Sequence, residues 1–326
     1  MKIITPKTSD WNNFVANSVS PEFLQDRRWS NIFSPDIDNY LAVVDADGNL
    51  LAGVQWLNKA TLGVKYLFSP RGPVFAETLS ASVLQTTWQL LSEAVTKQAK
   101  QRGCWFWRLE PSLAVEKWSP DKRLIFSLNL EPSLTWLTNL VDDDTLIKGM
   151  HPKTRYNIRL AQKKSLVFRQ GGIDDLEVWW KLLSGTSDRD GFAIHSKEHY
   201  KKILELGKGW IDLFLVEFSG QAIAAGLFNK TGVKASYIHG ASNHLYRHLM
   251  APYLLHWEVM RHYREQGAKV YDWFGVDEKK WPGVTRFKQG FGGQLFSYPG
   301  TLDLPISSFY YRIYRVLRQF RRLLPI

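Results

Sequence analysis

The order of elements in this chain occurs twice, and that repeat limits the fold more than any single motif. In the first half, "NYLAVVDADGNLLAGVQWLNKA" is two apolar runs joined by "DADGN", a hairpin signature, and "VKYLFSPRGPVF" continues extended through a turn. A helix follows, with Leu84, Trp88, Leu91 and Val95 on one face and its end at Gly103, and then the bulky strand "CWFWRLEP". The second half gives the same order. "GWIDLFLVEFSGQAIAAGLFNKTGVKASYIHGAS" is strand, turn, strand and strand; "HLMAPYLLHWEVMRHYREQG" is a helix ending at Gly267; "AKVYDWFGVD" is the strand after it. Two such copies predict duplicated α/β domains rather than a solenoid. The link between them is expected near "TNLVDDDTLIKG".

With 326 residues, each domain can bury a core of its own. A hydrophobic fraction of 44% and a charged fraction of 22% are those of a globular protein. No signal peptide or membrane span is expected, which implies a cytoplasmic protein. The single cysteine, Cys104, excludes an intrachain disulfide framework and is expected to be a core thiol.

Forty-two Lys and Arg against 31 Asp and Glu leave +11, so the surface should attract a polyanion: a nucleic acid, a pyrophosphate or an anionic membrane face. The charge is local. From Lys148 to Arg169 there are seven basic residues and no acidic one. Arg155, Arg159 and Lys163 recur every four residues behind Pro152, which predicts one face of a helix, either solvated or held against a polyanion. The tail "SSFYYRIYRVLRQFRRLLPI" sets Arg312, Arg315, Arg318 and Arg321 among aromatic and aliphatic residues and predicts a basic amphipathic helix. Such a helix either packs on the body of the protein or meets a membrane surface or RNA.

His195/His199 and His244/His248 have a four-residue spacing, but no HExxH pattern accompanies either pair, so no metal site is expected. No Gly-x-Ser-x-Gly elbow occurs, and Cys104 has no evident base, which excludes the common nucleophilic mechanisms. What remains is direct attack of one substrate on another, with the protein supplying position, charge and a base. Glu110 in "RLEP" and Asp272 in "YDWFG" sit at equivalent strand ends of the two halves. "GVTRFKQGFGGQ", residues 283 to 294, is not a P-loop, because Lys288 precedes its glycines and no hydroxyl follows. On residues alone it fits a strand ending in a glycine turn, with Phe287 and Phe291 in the core.

"HPKTRYNIRLAQKK", "TSDRDGF", "ASYIHGASN", "LLHWEVMRHYREQGAKVYDWFGVD" and "GVTRFKQGFGGQ" occur in an order and spacing that resemble the Fem-type peptidoglycan bridge-forming aminoacyltransferases, the FemABX group. The resemblance implies two GNAT-like acyltransferase domains, 1–147 with 300–326 returning to it, and 148–299. No room is left for the coiled-coil arm of some members, which favours the compact type. It also implies an aminoacyl-tRNA donor and a peptidoglycan precursor as acceptor, either UDP-MurNAc-pentapeptide or lipid II, with no cofactor and a monomeric enzyme, peripheral to the membrane if the tail binds there. The residue matching the family's tRNA-end and oxyanion lysine is Lys288, with Phe287 packed on it and Arg286 beside it. Arg189 matches the precursor-phosphate arginine and Tyr237 a cleft tyrosine. Glu110 stands where the family has an aspartate. The family lysine expected after the N-terminal tryptophan is absent, and Arg28 or Arg27 is the substitute. Arg155, Arg159 and Lys163 are then the tRNA-facing stripe. Two alternatives remain: an acyl-CoA-dependent N-acyltransferase, against which "NHLYRHLMAPYLL" lacks pyrophosphate-loop glycines, and a non-catalytic tRNA- or membrane-binding protein.

Overall fold

The structure, a computed structural model, describes residues 1–33, 39–117 and 121–323, with side chains described as far as Gln319. It divides into two compact units, 1–133 with 297–326, and 134–296.

In the first unit the predicted hairpin forms between Tyr40–Val44 and Leu50–Gln55, its turn held by Asp45, whose carboxylate accepts the Asn49 N–H at 2.8 Å. This pair lies in a four-stranded sheet with Lys2–Ile4 and Val74–Phe75 at its edges. A five-stranded sheet runs Leu57–Thr61, Val64–Ser69, Phe106–Leu109, Leu302–Pro305, Ile125–Phe126. The helix Ala81–Gln101 crosses between Val64–Ser69 and Phe106–Leu109, which pair parallel, and buries Trp88, Leu91 and Val95. The chain's return is fixed by a buried pair across adjacent strands: Arg108 Nε and a terminal nitrogen each donate to Asp303 at 2.7 Å.

The second unit has one seven-stranded sheet in the order Leu166–Gly171, Ile211–Phe218, Gln221–Thr231, Lys234–Ser242, Val270–Asp272, Leu134–Asn139, Gln294–Ser297. Helices Leu176–Asp190 and Ala251–Glu265 both pack on Gln221–Thr231, so residues 222–229 are all buried and the strand is an apolar run without alternation. Again a helix, Ala251–Glu265, crosses between two parallel strands, Lys234–Ser242 and Val270–Asp272. The doubled α/β arrangement is therefore present as a repeated strand–helix–parallel strand crossover. Glu110 and Asp272 follow or end the second strand of each copy.

The two units divide at 133/134, ahead of the 147/148 boundary that the resemblance implies. Leu134–Asn139 pairs antiparallel with Val270–Asp272, Leu137 opposite Asp272, which commits it and the following helix Asp143–Gly149 to the second unit. The segment 283–294 also differs from its strand reading. Pro282–Gln289 is a helix with proline in its first turn, and only Gln294–Ser297 is extended.

Candidate functional site

Helix Pro282–Gln289 is held against the turn that precedes it by Thr285, which accepts the Asp277 N–H and returns its hydroxyl to the Asp277 carbonyl, both at 3.0 Å. One turn on, Lys288 points inward and is 5% exposed. Its ammonium donates to the carbonyls of Phe274 at 2.7 Å and Gly275 at 2.6 Å. Both carbonyl-bearing residues are left-handed, φ 48° at Phe274 and 76° at Gly275, the first an uncommon conformation for an aromatic residue. Burial lowers the Lys288 pKa to about 7, with Asp272 opposing the shift. Asp272 itself accepts from the Thr135 hydroxyl at 2.5 Å and the Phe274 N–H at 2.9 Å, and lies 3.5 Å from the Lys234 ammonium.

The glycines after this helix serve close backbone packing. A Cβ on Gly292 would lie 2.7 Å from the Gly149 carbonyl oxygen, and one on Gly293 would overlap that of Leu137. Both glycines have positive φ, 78° and 114°. The Gly292 carbonyl accepts from the Trp136 indole at 2.8 Å and the Thr138 hydroxyl at 2.7 Å. The turn thereby locks the lysine-bearing helix to the strand Leu134–Asn139.

Around Lys288 stands an aromatic wall. Phe287 packs edge-on to Tyr253 at 5.0 Å, to Phe291 at 5.3 Å and to His256 at 5.5 Å between centroids. His256 shares a 2.7 Å hydrogen bond with the Tyr271 hydroxyl. Burial, then the charge on Lys288, push its pKa down to about 3, which keeps the ring neutral. The Lys288 ammonium lies 5.5 Å from the centroid of Tyr237. A bulge between Leu227 and Phe228 shifts the register opposite Tyr237, whose ring lies over Gly240, where a Cβ would overlap the hydroxyl. Tyr237, Phe287, His256 and Tyr253 line a cavity of about 660 Å³ with Arg189 and Arg247 also on its wall. The sequence gives no signal for His256 or Tyr253, which occupy ordinary helical core spacings, nor for the two carbonyls.

The predicted cations are placed unequally. Arg189 reaches the cavity, but its fork is occupied: Nε and one terminal nitrogen bind Asp190 at 2.7 and 2.6 Å, and the other donates to the Ser242 carbonyl at 3.0 Å. Arg286 is exposed on the lysine-bearing helix. On Pro152–Gln162, Arg159 is exposed and Lys163 follows as the C-cap, but Arg155 turns back to the Met150 carbonyl at 2.7 Å and the Lys148 carbonyl at 3.3 Å. The four-residue stripe is thus divided between a cap of the preceding helix and two open charges.

Glu110 and Arg28 belong to the first unit. Glu110 is 2% exposed; its Oε1 accepts from the Thr301 hydroxyl at 2.5 Å and the Glu131 N–H at 3.0 Å, and its Oε2 has no hydrogen-bond partner. Burial and then Glu110 raise the pKa of the Glu131 carboxyl, a neighbour that sequence spacing did not reveal. Arg28 is paired to Asp26 at 2.7 Å, while Arg27 is buried, bonded to Ser30 and Asn39 and placed over the Tyr40 ring. Cys104 is buried, and burial raises its pKa. His195 and His199 stack at 4.0 Å, whereas His244 and His248 lie in a 3-10 turn that does not align them. Among the described residues no group of three His, Cys, Asp or Glu is placed to hold a metal ion. No described helix is long and apolar enough to cross a membrane.

The FemAB family model matches residues 126–219 and 216–319, more than half of the chain. FemA of Staphylococcus epidermidis is 28% identical over 105 residues, 31% of this chain. That match spans 25% of the relative's length. A lipid II:glycine glycyltransferase of Staphylococcus saprophyticus subsp. saprophyticus is 20% identical over 308 residues, covering 69% of this chain and 74% of the relative. The crystal structure of FemX superposes with a TM-score of 0.84 at 18% identity, over 96% of this chain and 99% of that one, a likeness of fold.

Proposed function

The chain belongs to the FemAB family, and from that membership we propose that it transfers an amino acid from aminoacyl-tRNA to an amine of a peptidoglycan precursor, forming a peptide bond of an interpeptide bridge. The observation that carries this reading is the buried Lys288, held by two carbonyls beside an aromatic cavity and titrating near neutrality. Attack of the amine on the aminoacyl ester builds negative charge on the carbonyl oxygen, and the departing ribose oxygen must then take up a proton. An ammonium with a pKa near 7 stabilises the first charge and can supply the proton to the second. Phe287 and Tyr237 flank the lysine and offer faces on which a terminal base can stack.

Arg159 and Lys163 are the open charges we assign to the tRNA backbone, with Arg155 acting through the helix end it caps, and Arg286 is assigned to the substrate. Arg189 binds the precursor by exchanging Asp190 for a phosphate, and Arg28 assists in the first unit. Glu110, with its unpartnered Oε2, is the carboxylate of the first unit to which we assign the role of base. The reaction needs no cofactor, the enzyme works as a cytoplasmic monomer, and the acceptor is a muramyl pentapeptide in UDP-linked or lipid-linked form. The acyl-CoA alternative is disfavoured by Pro252, which removes an N–H from the first turn of Ala251–Glu265 where a pyrophosphate would bind.

Incubating the purified protein with charged tRNA and either muramyl precursor should yield a precursor heavier by one aminoacyl residue. Transfer from an acyl-CoA instead, or no transfer from any charged tRNA, would defeat the proposal.

A further inference from the structure

As far as Gln319 the helix Ser308–Leu323 presents three faces, and its described contacts with the rest of the fold lie on one of them, including Tyr310 stacked on Trp105 at 4.9 Å. Tyr311 and Tyr314, 4% and 2% exposed, pack on Phe106 with centroids 5.5 and 4.6 Å away. The Tyr311 hydroxyl donates to Asp303 at 2.9 Å, Arg108 donates to the Tyr314 hydroxyl at 3.2 Å, and Arg318 donates to the Ser127 hydroxyl at 2.9 Å. The helix is therefore anchored from Tyr311 to Arg318 by polar contacts, the first two of them buried. Away from this face, Phe309, Ile313, Val316 and Leu317 are 68%, 36%, 49% and 40% exposed. Their spacing of four, seven and eight from Phe309 makes one continuous apolar stripe. On the third face Arg312 and Arg315 are exposed, and no acidic residue occurs from 307 to 326.

An amphipathic helix whose apolar stripe faced the core would be explained by packing alone; here the packed residues are tyrosines and the aliphatic ones face outward. RNA would use the arginines but gains little from Ile313, Val316 and Leu317. A second copy laid on this surface would set arginine against arginine. We propose that this surface seats on an anionic lipid bilayer, with the stripe in the boundary between headgroups and acyl chains and Arg312 and Arg315 against the headgroup phosphates. Docking stands on the helix alone. Only its consequence, that the acceptor is the lipid-linked precursor met at that surface, rests on the aminoacyl-transfer reading.

The test is co-sedimentation of the whole chain with vesicles of phosphatidylcholine containing phosphatidylglycerol, and with vesicles of phosphatidylcholine alone. The protein should bind the anionic vesicles at least about tenfold more tightly. Arg312→Gln with Arg315→Gln should weaken that binding roughly thirtyfold. Phe309→Ser with Ile313→Ser and Leu317→Ser should weaken it roughly a hundredfold or more. All five side chains are exposed, so both variants should keep the parent melting temperature. Equal binding to both vesicles, no binding to either, or unaltered binding by the triple variant would overturn the proposal. So would a concentration-dependent dimer that the triple variant abolishes, which would identify a second copy as the occupant. Because no turnover is measured, failure here leaves the transfer reaction untouched, and failure of the transfer assay leaves this result standing.

Discussion

Lys288→Met removes the charge and keeps the bulk of the stem, and the structure gives its consequences for stability and rate separately. The folded-state pKa lies near 7 against an ordinary 10.5. At about 1.4 kcal/mol per pKa unit, holding the lysine charged in its site costs up to about 5 kcal/mol below pH 7. Because the folded pKa is below the unfolded one, the unfolded chain binds more protons between about pH 7 and 10.5, and the native protein gains stability as pH rises through that window. Between about pH 6.5 and 9.5 the gain should be about 3 kcal/mol for the parent and absent in the variant. At neutral pH the two effects of the substitution oppose each other. Relief of the buried charge is offset by loss of the two charged hydrogen bonds to the Phe274 and Gly275 carbonyls, about 1.5 to 3 kcal/mol each, so the melting temperature there should change little. Turnover should not be spared: loss of one donor to a developing oxyanion costs roughly 100- to 1,000-fold. Parent turnover should itself decline as the lysine deprotonates above pH 7, while Phe287→Leu loosens the site and costs less. Denaturant titrations across pH, with single-turnover transfer on the same samples, check both parts. A pH-independent stability difference between parent and variant, or a variant that transfers at the parent rate, would refute the reasoning.

Gly240→Ala should force the Tyr237 ring away from Lys288, destabilising the fold by about 1 to 3 kcal/mol and slowing transfer; thermal unfolding unchanged from the parent would mean the ring has room to move. Arg189→Ala should raise KM for the muramyl precursor more than it lowers kcat, since phosphate contacts hold ground and transition states alike; steady-state kinetics in the precursor separate the two. Arg159→Gln with Lys163→Gln should reduce the salt dependence of tRNA binding by about 1.5 in log–log slope, measured by filter binding. Arg155→Gln should instead lower the melting temperature, because its partners are the Lys148 and Met150 carbonyls.

The repeat was legible because hairpin turns and a helix period are local properties: "DADGN" and "SGQ" close strands that pair with their neighbours, and Trp88, Leu91 and Val95 share one helical face. The domain boundary was less so, since the partner of Leu134–Asn139 lies more than a hundred residues downstream in Val270–Asp272. The tail showed its amphipathic period, but the period alone could not say that Tyr311 and Tyr314 take the buried face and leave the aliphatic residues outside.

Residues 283 to 294 show why a site can be named from sequence and still be misread in shape. Helical spacing was present in Thr285 and Lys288, three apart and both buried, and in Phe287 and Phe291, four apart. Glycines argued against a helix only because their reason was elsewhere: Gly292 and Gly293 are required by the backbones of Gly149 and Leu137. The property that matters most, a lysine titrating near 7, arises from burial of the ammonium; the carbonyls presented by left-handed residues at 274 and 275 hold it in place. Residue type at 288 supplies a charge; only the fold around it converts that charge into one that can be given away at neutral pH.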